Sequence, residues 1–305
     1  MSKAIVKVSN LFKSYGKIKA ANDVSFEVFQ GEIFGLVGPN GAGKTTTIEC
    51  IEGLRKPGSG NIKVLGLDLF SNSNAIRQRI GIQLQESELP GRIKIWEAMD
   101  LFSSFYKNNI DWLPLLESLG IKEKYGSYFN KLSGGQKQKL FISLALVNDP
   151  ELIFLDELTT GLDPQARRAT WGLIKSIRDQ GKTIFLTTHY MEEAEYLCDR
   201  VAVIDAGKII ALDTPRNLIQ SIKEENRLVF NIVTEIDIAP IKKIKSVSRL
   251  ESSGEKMTIY GKDNTMVKDI VNYLVKNDID FRDLRTEQAN LEDVFLTLTG
   301  KEIRT

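Results

Sequence analysis

Three short runs, IFGLVG (33–38), LIFLD (152–156) and TIFLTT (183–188), are dominated by Ile, Val, Leu and Phe. Each is too short for a helix, and such composition is that of strands covered on both faces. Helix-length segments separate them, so the alternation predicts an α/β domain with a mostly parallel core sheet. Upstream, AIVKVSNLFKSYG and ANDVSFEVFQG alternate apolar and polar positions around a turn, which predicts an N-terminal antiparallel β layer. RVAVIDAGKIIALD (200–213) predicts a hairpin turning at Ala206-Gly207. Residues 93–147 have a mainly helical pattern, with Trp96, Met99 and Phe102 at helical spacing and a second apolar stripe after Gly135. They are expected to form a helical lobe, about 90–147, inside a domain covering 1–220.

DTPRNLIQSIKEEN (213–226) starts as a capped helix, with Thr214 before Pro215, and then turns charged and polar. The domain boundary is placed there. From 226 to 305 the pattern predicts a small α+β domain. Its parts are the strand RLVFNIVTE, a hairpin at Ser253-Gly254, a helix with Val267, Ile270, Val271 and Leu274 on one face, and the strand FRDLRT. A last helix, NLEDVFLTLTG, is capped by Asn290 and ended by Gly300.

Charge changes this picture little but excludes much. The 41 Lys and Arg offset 40 Asp and Glu, so the chain lacks the basic field that draws proteins onto nucleic acid, and no nucleic-acid partner is expected. Cys50 and Cys198 are far from any C-x-x-C spacing and are expected as reduced, buried thiols. The longest apolar stretches, such as LFISLALV (140–147), fall short of the ~18 residues that span a bilayer. The first ten residues lack a signal peptide's apolar run, so a soluble, cytoplasmic chain is expected.

Candidate chemistry begins at GPNGAGKTT. Gly38, Pro39, Asn40, Gly41, Ala42, Gly43, Lys44 and Thr45 match G-x-x-x-x-G-K-[ST], placed as required after an apolar strand and before a helix. Such a loop turns backbone N–H groups and a helix N-terminus toward phosphate. Lys44 adds positive charge for the β and γ phosphates, Thr45 would ligate Mg²⁺, and Thr46 would donate to the α phosphate. A second Gly-Lys-Thr, at 181–183, has Ser176 in place of the first glycine and precedes a strand, so it is a turn. Asp156 and Glu157 stand where LIFLD ends, and the carboxyl ends of parallel strands are where open α/β sheets bind ligands. Beside a phosphate loop, Asp156 would hold Mg²⁺ through water and Glu157 would take a proton from an attacking water.

Leu132, Ser133, Gly134, Gly135 and Gln136 precede a helix with apolar positions at Leu140, Ile142, Leu144 and Leu146. With this stretch lying between the phosphate loop and the acidic strand, the chain resembles the nucleotide-binding subunits of ATP-binding cassette (ABC) transporters over residues 3 to 220. The resemblance implies a P-loop NTPase cassette that binds ATP and Mg²⁺. It matches Tyr15 to the aromatic that stacks on adenine and Asp163, in GLDP, to the acid that touches the partner ATPase. Gln85 matches the glutamine that senses Mg²⁺ and the attacking water, with Gln83 two residues away. The only histidine, His189, matches the switch residue that bonds the γ phosphate. An imidazole there can donate to phosphate and also meet Glu157.

The resemblance further implies a head-to-tail pair, a homodimer or a dimer with a close paralogue, in which Ser133 and Gly135 of one subunit complete the site around Lys44 of the other. An integral membrane permease would be moved through the segment from Gln85 to Glu97, which would hold the chain at the cytoplasmic face of the membrane. The ending NLEDVFLTLTG is similar to that of ATPase subunits of bacterial drug, antibiotic, lipid or polysaccharide exporters, which implies export. A soluble ABC ATPase acting on ribosomes or nucleic acid is the alternative, and one uninterrupted cassette with balanced charge disfavours it. Leu158 stands where the family usually has proline, so a changed loop entry is expected; Lys137 and Lys139 stand where arginines are common, which keeps charge but loses bidentate bonding.

Overall fold

The computed structural model describes residues 3–84, 88–222, 226–233, 237–261 and 265–300. In the N-terminal layer β1 (Ala4–Tyr15) lies between β2 (Ile18–Phe29) and β4 (Ser59–Val64), with β5 (Leu67–Asp68) at the edge; all pairings are antiparallel. A six-stranded sheet follows the order β10-β9-β3-β8-β7-β6. Its strands are β3 (Ile33–Val37), β6 (Ile80–Gln83), β7 (Leu152–Asp156), β8 (Thr183–Thr188), β9 (Arg200–Asp205) and β10 (Lys208–Asp213). The first five pair in parallel and β10 folds back on β9. Every residue of β3, β7 and β8 is buried, which is why these three showed as continuous apolar runs. Strands β4 and β6 were not evident from the sequence, since each gains its identity from pairing with β1 or β7.

Successive residues of the central strands face opposite cores. Phe34, Leu36, Phe154 and Phe185 join the β1–β2 layer and the buried side of α1 (Lys44–Glu52). Phe185 lies 5.5 Å from Phe34, 5.7 Å from Phe154 and 5.8 Å from Phe26, centroid to centroid. On the other face, Ile33, Val37, Ile153, Leu155, Ile184 and Leu186 pack against α6 (Pro164–Asp179), α7 (Met191–Leu197) and α8 (Pro215–Ser221). The short α2 (Ser73–Arg77) leads into β6. Cys50 and Cys198 are both buried.

The helical lobe is more broken than its pattern predicts. It holds α3 (Ile95–Ser103), α4 (Trp112–Ser118) and α5 (Gly134–Leu146), and two three-residue 3₁₀ turns connect α4 to α5. Met99, Leu116, Leu140 and Leu144 form its core, while Trp96 is 37% exposed. No helix among the described residues is long and apolar enough to cross a membrane.

Beyond Ser221, β11 (Asn226–Ile232), β12 (Val247–Ser253), β13 (Lys256–Gly261) and β14 (Phe281–Glu287) form an antiparallel sheet in the order β12-β13-β11-β14. It packs with α9 (Ala239–Lys242) and α10 (Thr265–Lys276). The buried stripe of α10 is Met266, Ile270 and Leu274; of the face expected from the sequence, Ile270 and Leu274 are buried, Val267 and Val271 are half-buried, and Met266 completes the stripe. The last helix, α11 (Leu291–Thr299), leaves this sheet: Leu291, Val294 and Phe295 bury themselves in the cassette core beside α7 and α8. Asn290 caps it and Gly300, at φ +68°, ends it.

Candidate functional site

Backbone crowding shapes the loop between β3 and α1. A Cβ on Gly38 would lie 2.2 Å from the Ile204 carbonyl oxygen, and one on Gly43, at φ +105°, would lie 2.0 Å from that of Ala20. The loop is pressed onto β9 and β2, and Gly207 in the β9–β10 turn fixes it by donating its N–H to Ala42 O at 2.9 Å. Gly41 is different, since its φ of +79° favours glycine but open space surrounds it. It faces a cleft of ≈ 750 Å³ that is also lined by Tyr15, Lys19, Asn40, Lys44, Thr45, Thr46 and Glu157. Tyr15, at the end of β1, is 41% exposed, with Lys13 Nζ 5.4 Å and Arg55 Cζ 5.5 Å from its ring centroid.

At the floor of the cleft the Lys44 ammonium donates to Gly38 O at 2.9 Å and to Pro39 O at 3.2 Å. It also lies 3.2 Å from Glu157 Oε1, in an ion pair that is almost wholly buried. His189 Nδ1 is 3.3 Å from the other oxygen, Glu157 Oε2, without the alignment of a hydrogen bond. Thr160 Oγ1 reaches the same oxygen at 3.5 Å. Glu157 has a left-handed backbone, φ +48°, and its N–H donates to both the carbonyl and the hydroxyl of Thr187 at 3.1 Å. That conformation costs a side-chain-bearing residue about 1–2 kcal/mol, so the Thr187 contacts hold it there.

Asp156, 2% exposed, accepts a hydrogen bond from the Thr187 hydroxyl. Burial holds its carboxyl above the ordinary aspartate range and the nearby Glu157 charge adds to this, while the Thr187 bond and Lys44 oppose it. Thr187 was missed in the sequence, though a threonine ending an apolar strand two residues before the only histidine was its signal. His189 follows β8, and its ring lies 4.0 Å from that of Tyr190, which Arg167 covers at 4.0 Å.

Asp156 and His189 are not among the residues that line this cleft, and neither are Ser133, Gly134, Gly135, Gln136 and Asp163. Ser133 caps α5 in a reciprocal pair: its hydroxyl accepts from Gln136 N at 3.3 Å and its N–H donates to Gln136 Oε1 at 2.9 Å. Gly134 and Gly135 have no positive φ, and an added Cβ would meet nothing closer than 3.9 Å. Asp163 caps α6 by accepting from Ala166 N at 2.9 Å. Leu158 is buried and its carbonyl takes the amide of Gln138, so the loop entry is anchored to α5. Gln85 lies outside the described residues; Gln83 is buried at the end of β6 and donates to Leu84 O at 2.6 Å.

Residues 21–160 match the ABC transporter family, and residues 239–300 match the C-terminal domain of the nodulation factor export protein NodI. The chain is 38% identical over 313 residues to the Nod factor export ATP-binding protein I of Paraburkholderia xenovorans (strain LB400), covering 100% of both chains. The chain belongs to the ATP-binding subunits of ABC transporters. The protein of the same name from Rhizobium meliloti (strain 1021) is 38% identical over 98% of this chain and 89% of its own length. Among solved structures, an ATP-binding subunit of an ABC transporter aligns with a TM-score of 0.64 at 29% identity, over 71% of this chain and 92% of that one. A dimeric bacterial ABC transporter cassette aligns at 0.62 and 25% identity, over 68% and 98%. This ABC subunit is thus an ATPase that binds ATP through a P-loop cassette, and its relatives favour transport over the ribosome or nucleic-acid alternative.

Proposed function

We propose that this ABC subunit hydrolyses ATP in a head-to-tail pair and drives a separate membrane permease in the export direction. The observation that carries the reading is the placement of Glu157, a buried carboxylate between Lys44 at 3.2 Å and His189 at 3.3 Å. Adenine stacks on Tyr15 and the triphosphate lies along residues 38–46, with Thr46 donating to the α phosphate. Lys44 exchanges the Gly38 and Pro39 carbonyls for β and γ phosphate oxygens. Released from Lys44, Glu157 accepts a proton from the attacking water while His189 donates to the γ phosphate. The donors available beside the loop, the Thr45 hydroxyl and the Asp156 carboxylate, are hard oxygens suited to Mg²⁺, with Gln85 as the third ligand. Held there, Mg²⁺ would supply positive charge to offset that of the transferring phosphoryl group.

Ser133, Gly134, Gly135 and Gln136 of one subunit close the site around Lys44 of the other, with Asp163 at the seam. Among the described residues nothing demands glycine at 134 or 135, which supports an approach from outside the chain. A groove of ≈ 710 Å³, lined by Leu54, Ile82, Phe102 and Phe105 together with the polar Arg77, Gln78 and Lys107, suits a permease helix. Export rests on the name of the relatives and on the match of residues 239–300. Through that permease the chain is held at the cytoplasmic face of the membrane.

Glu157→Gln should bind ATP with unchanged affinity, lose ~10² to 10⁴ in turnover, and accumulate a dimer in size-exclusion chromatography with ATP. Wild-type turnover in this variant would refute the assignment.

A further inference from the structure

We infer that Glu193 is a positioning residue for hydrolysis, whose carboxylate ties the loop after Glu157 to the helix after His189. The inference rests on the roles proposed above for Glu157 and His189. Glu193 is 3% exposed and lies in the first turn of α7, four residues beyond His189. One oxygen, Oε1, accepts from Thr159 Oγ1 and from Trp171 Nε1, each at 2.8 Å. Thr159, 1% exposed, is two residues beyond Glu157; Trp171 is on α6, whose N-cap is Asp163. Three segments that directly follow the proposed site residues Glu157, Asp163 and His189 therefore converge on one atom.

Packing alone does not account for this carboxylate. It lies in a region built from Trp171, Ile174, Ala194 and Leu197, where an aliphatic side chain avoids the cost of burying charge. An aliphatic side chain cannot accept from two donors. Because Oε1 is shared, the Thr159 hydroxyl and the Trp171 indole are held within two hydrogen-bond lengths of each other, and a shift of Thr159 away from α7 breaks a buried bond. Glu157 sits at φ +48°, a conformation that its surroundings must impose. Thr187 holds it from the N-terminal side, and the Thr159–Glu193 bond holds it from the C-terminal side.

The test uses the full chain, with Glu193→Leu, Glu193→Gln, Thr159→Val and Glu157→Gln measured for kcat, ATP affinity and melting temperature. Glu193→Leu and Thr159→Val should each lower kcat ~10- to 100-fold, as expected when a reacting group is misplaced by an ångström, with ATP affinity changed less than about two-fold. Glu193→Gln keeps an acceptor oxygen and should recover kcat to within about three-fold of wild type. Combining Glu193→Leu with Thr159→Val should cost no more than the first change alone, since the Thr159–Glu193 bond is already lost in Glu193→Leu. Wild-type kcat in Glu193→Leu, or a Gln variant as impaired as the Leu variant, overturns the inference. So does a loss of kcat that only follows lost ATP affinity and melting temperature. If Glu193→Leu does not fold, Thr159→Val decides alone, and wild-type kcat there overturns it. Normal turnover in Glu157→Gln instead refutes the general-base assignment, whatever the Glu193 variants do.

Discussion

One backbone angle, φ +48° at Glu157, concentrates the chemistry of this subunit at the residue scale. At this residue the carboxylate lies between Lys44 at 3.2 Å and His189 at 3.3 Å. A second buried acid nearby behaves differently. Glu52 ends α1 at 1% exposure, both its carboxylate oxygens lack a hydrogen-bond partner among the described residues, and burial pushes its carboxyl up to about 8, with the charges of Asp156 and Glu49 adding to the rise. A carboxyl raised in the folded state binds its proton more tightly there than in the unfolded chain, so folding is favoured at low pH. That stability is fully present below about 4.5 and is lost as pH rises through about 8, at up to about 1.4 kcal/mol per pH unit. Glu52→Gln should remove the dependence. Denaturant midpoints of the two proteins, compared from pH 5 to 9, should diverge, with the variant gaining at the alkaline end. Parallel pH profiles would mean that Glu52 is ionised throughout.

At the scale of elements, α11 carries the largest surprise. Its sequence is continuous with the small C-terminal unit, but its buried residues belong to the cassette, and Leu291 N donates to Glu195 Oε2 of α7 at 3.2 Å. Arg227 of β11 pairs with Asp293 of α11 at 2.5 Å, so the helix also grips the sheet it leaves. Phe295, 1% exposed, should therefore act as a core residue of the cassette. Phe295→Ala is expected to lower stability by about 3–5 kcal/mol in urea unfolding, with the cassette tryptophan Trp171 reporting the same shift. An unchanged Trp171 transition would show that the helix docks without supporting the core. No apolar pattern within 291–299 could disclose this, because an amphipathic stripe states that a face is buried and not what buries it.

The whole molecule contains one side of the proposed hydrolytic site in its cleft and the other at the exposed start of α5. Among the described residues, Ser133 to Gln136 do not line the cleft. On the head-to-tail reading, the specific rate of ATP hydrolysis should fall as the purified protein is diluted, in step with loss of dimer by light scattering. A constant specific rate for a persistent monomer would overturn the pairing.

The phosphate loop, the acidic strand end and the α/β alternation were legible along the chain because their signals are local. Gly38, Gly43 and Lys44 fall within seven consecutive residues, and fully buried strands must be apolar throughout. His189 was legible only through family resemblance, for a lone histidine has no local signature. Thr187 beneath Asp156, Thr159 and Trp171 on Glu193, Gln138 on Leu158 and the cassette docking of α11 required the tertiary structure. Each joins residues about 20 or more positions apart. The sequence determines which elements form and which groups they can offer; packing decides which of those groups meet, because a contact of high sequence separation leaves no periodic trace in either strand or helix.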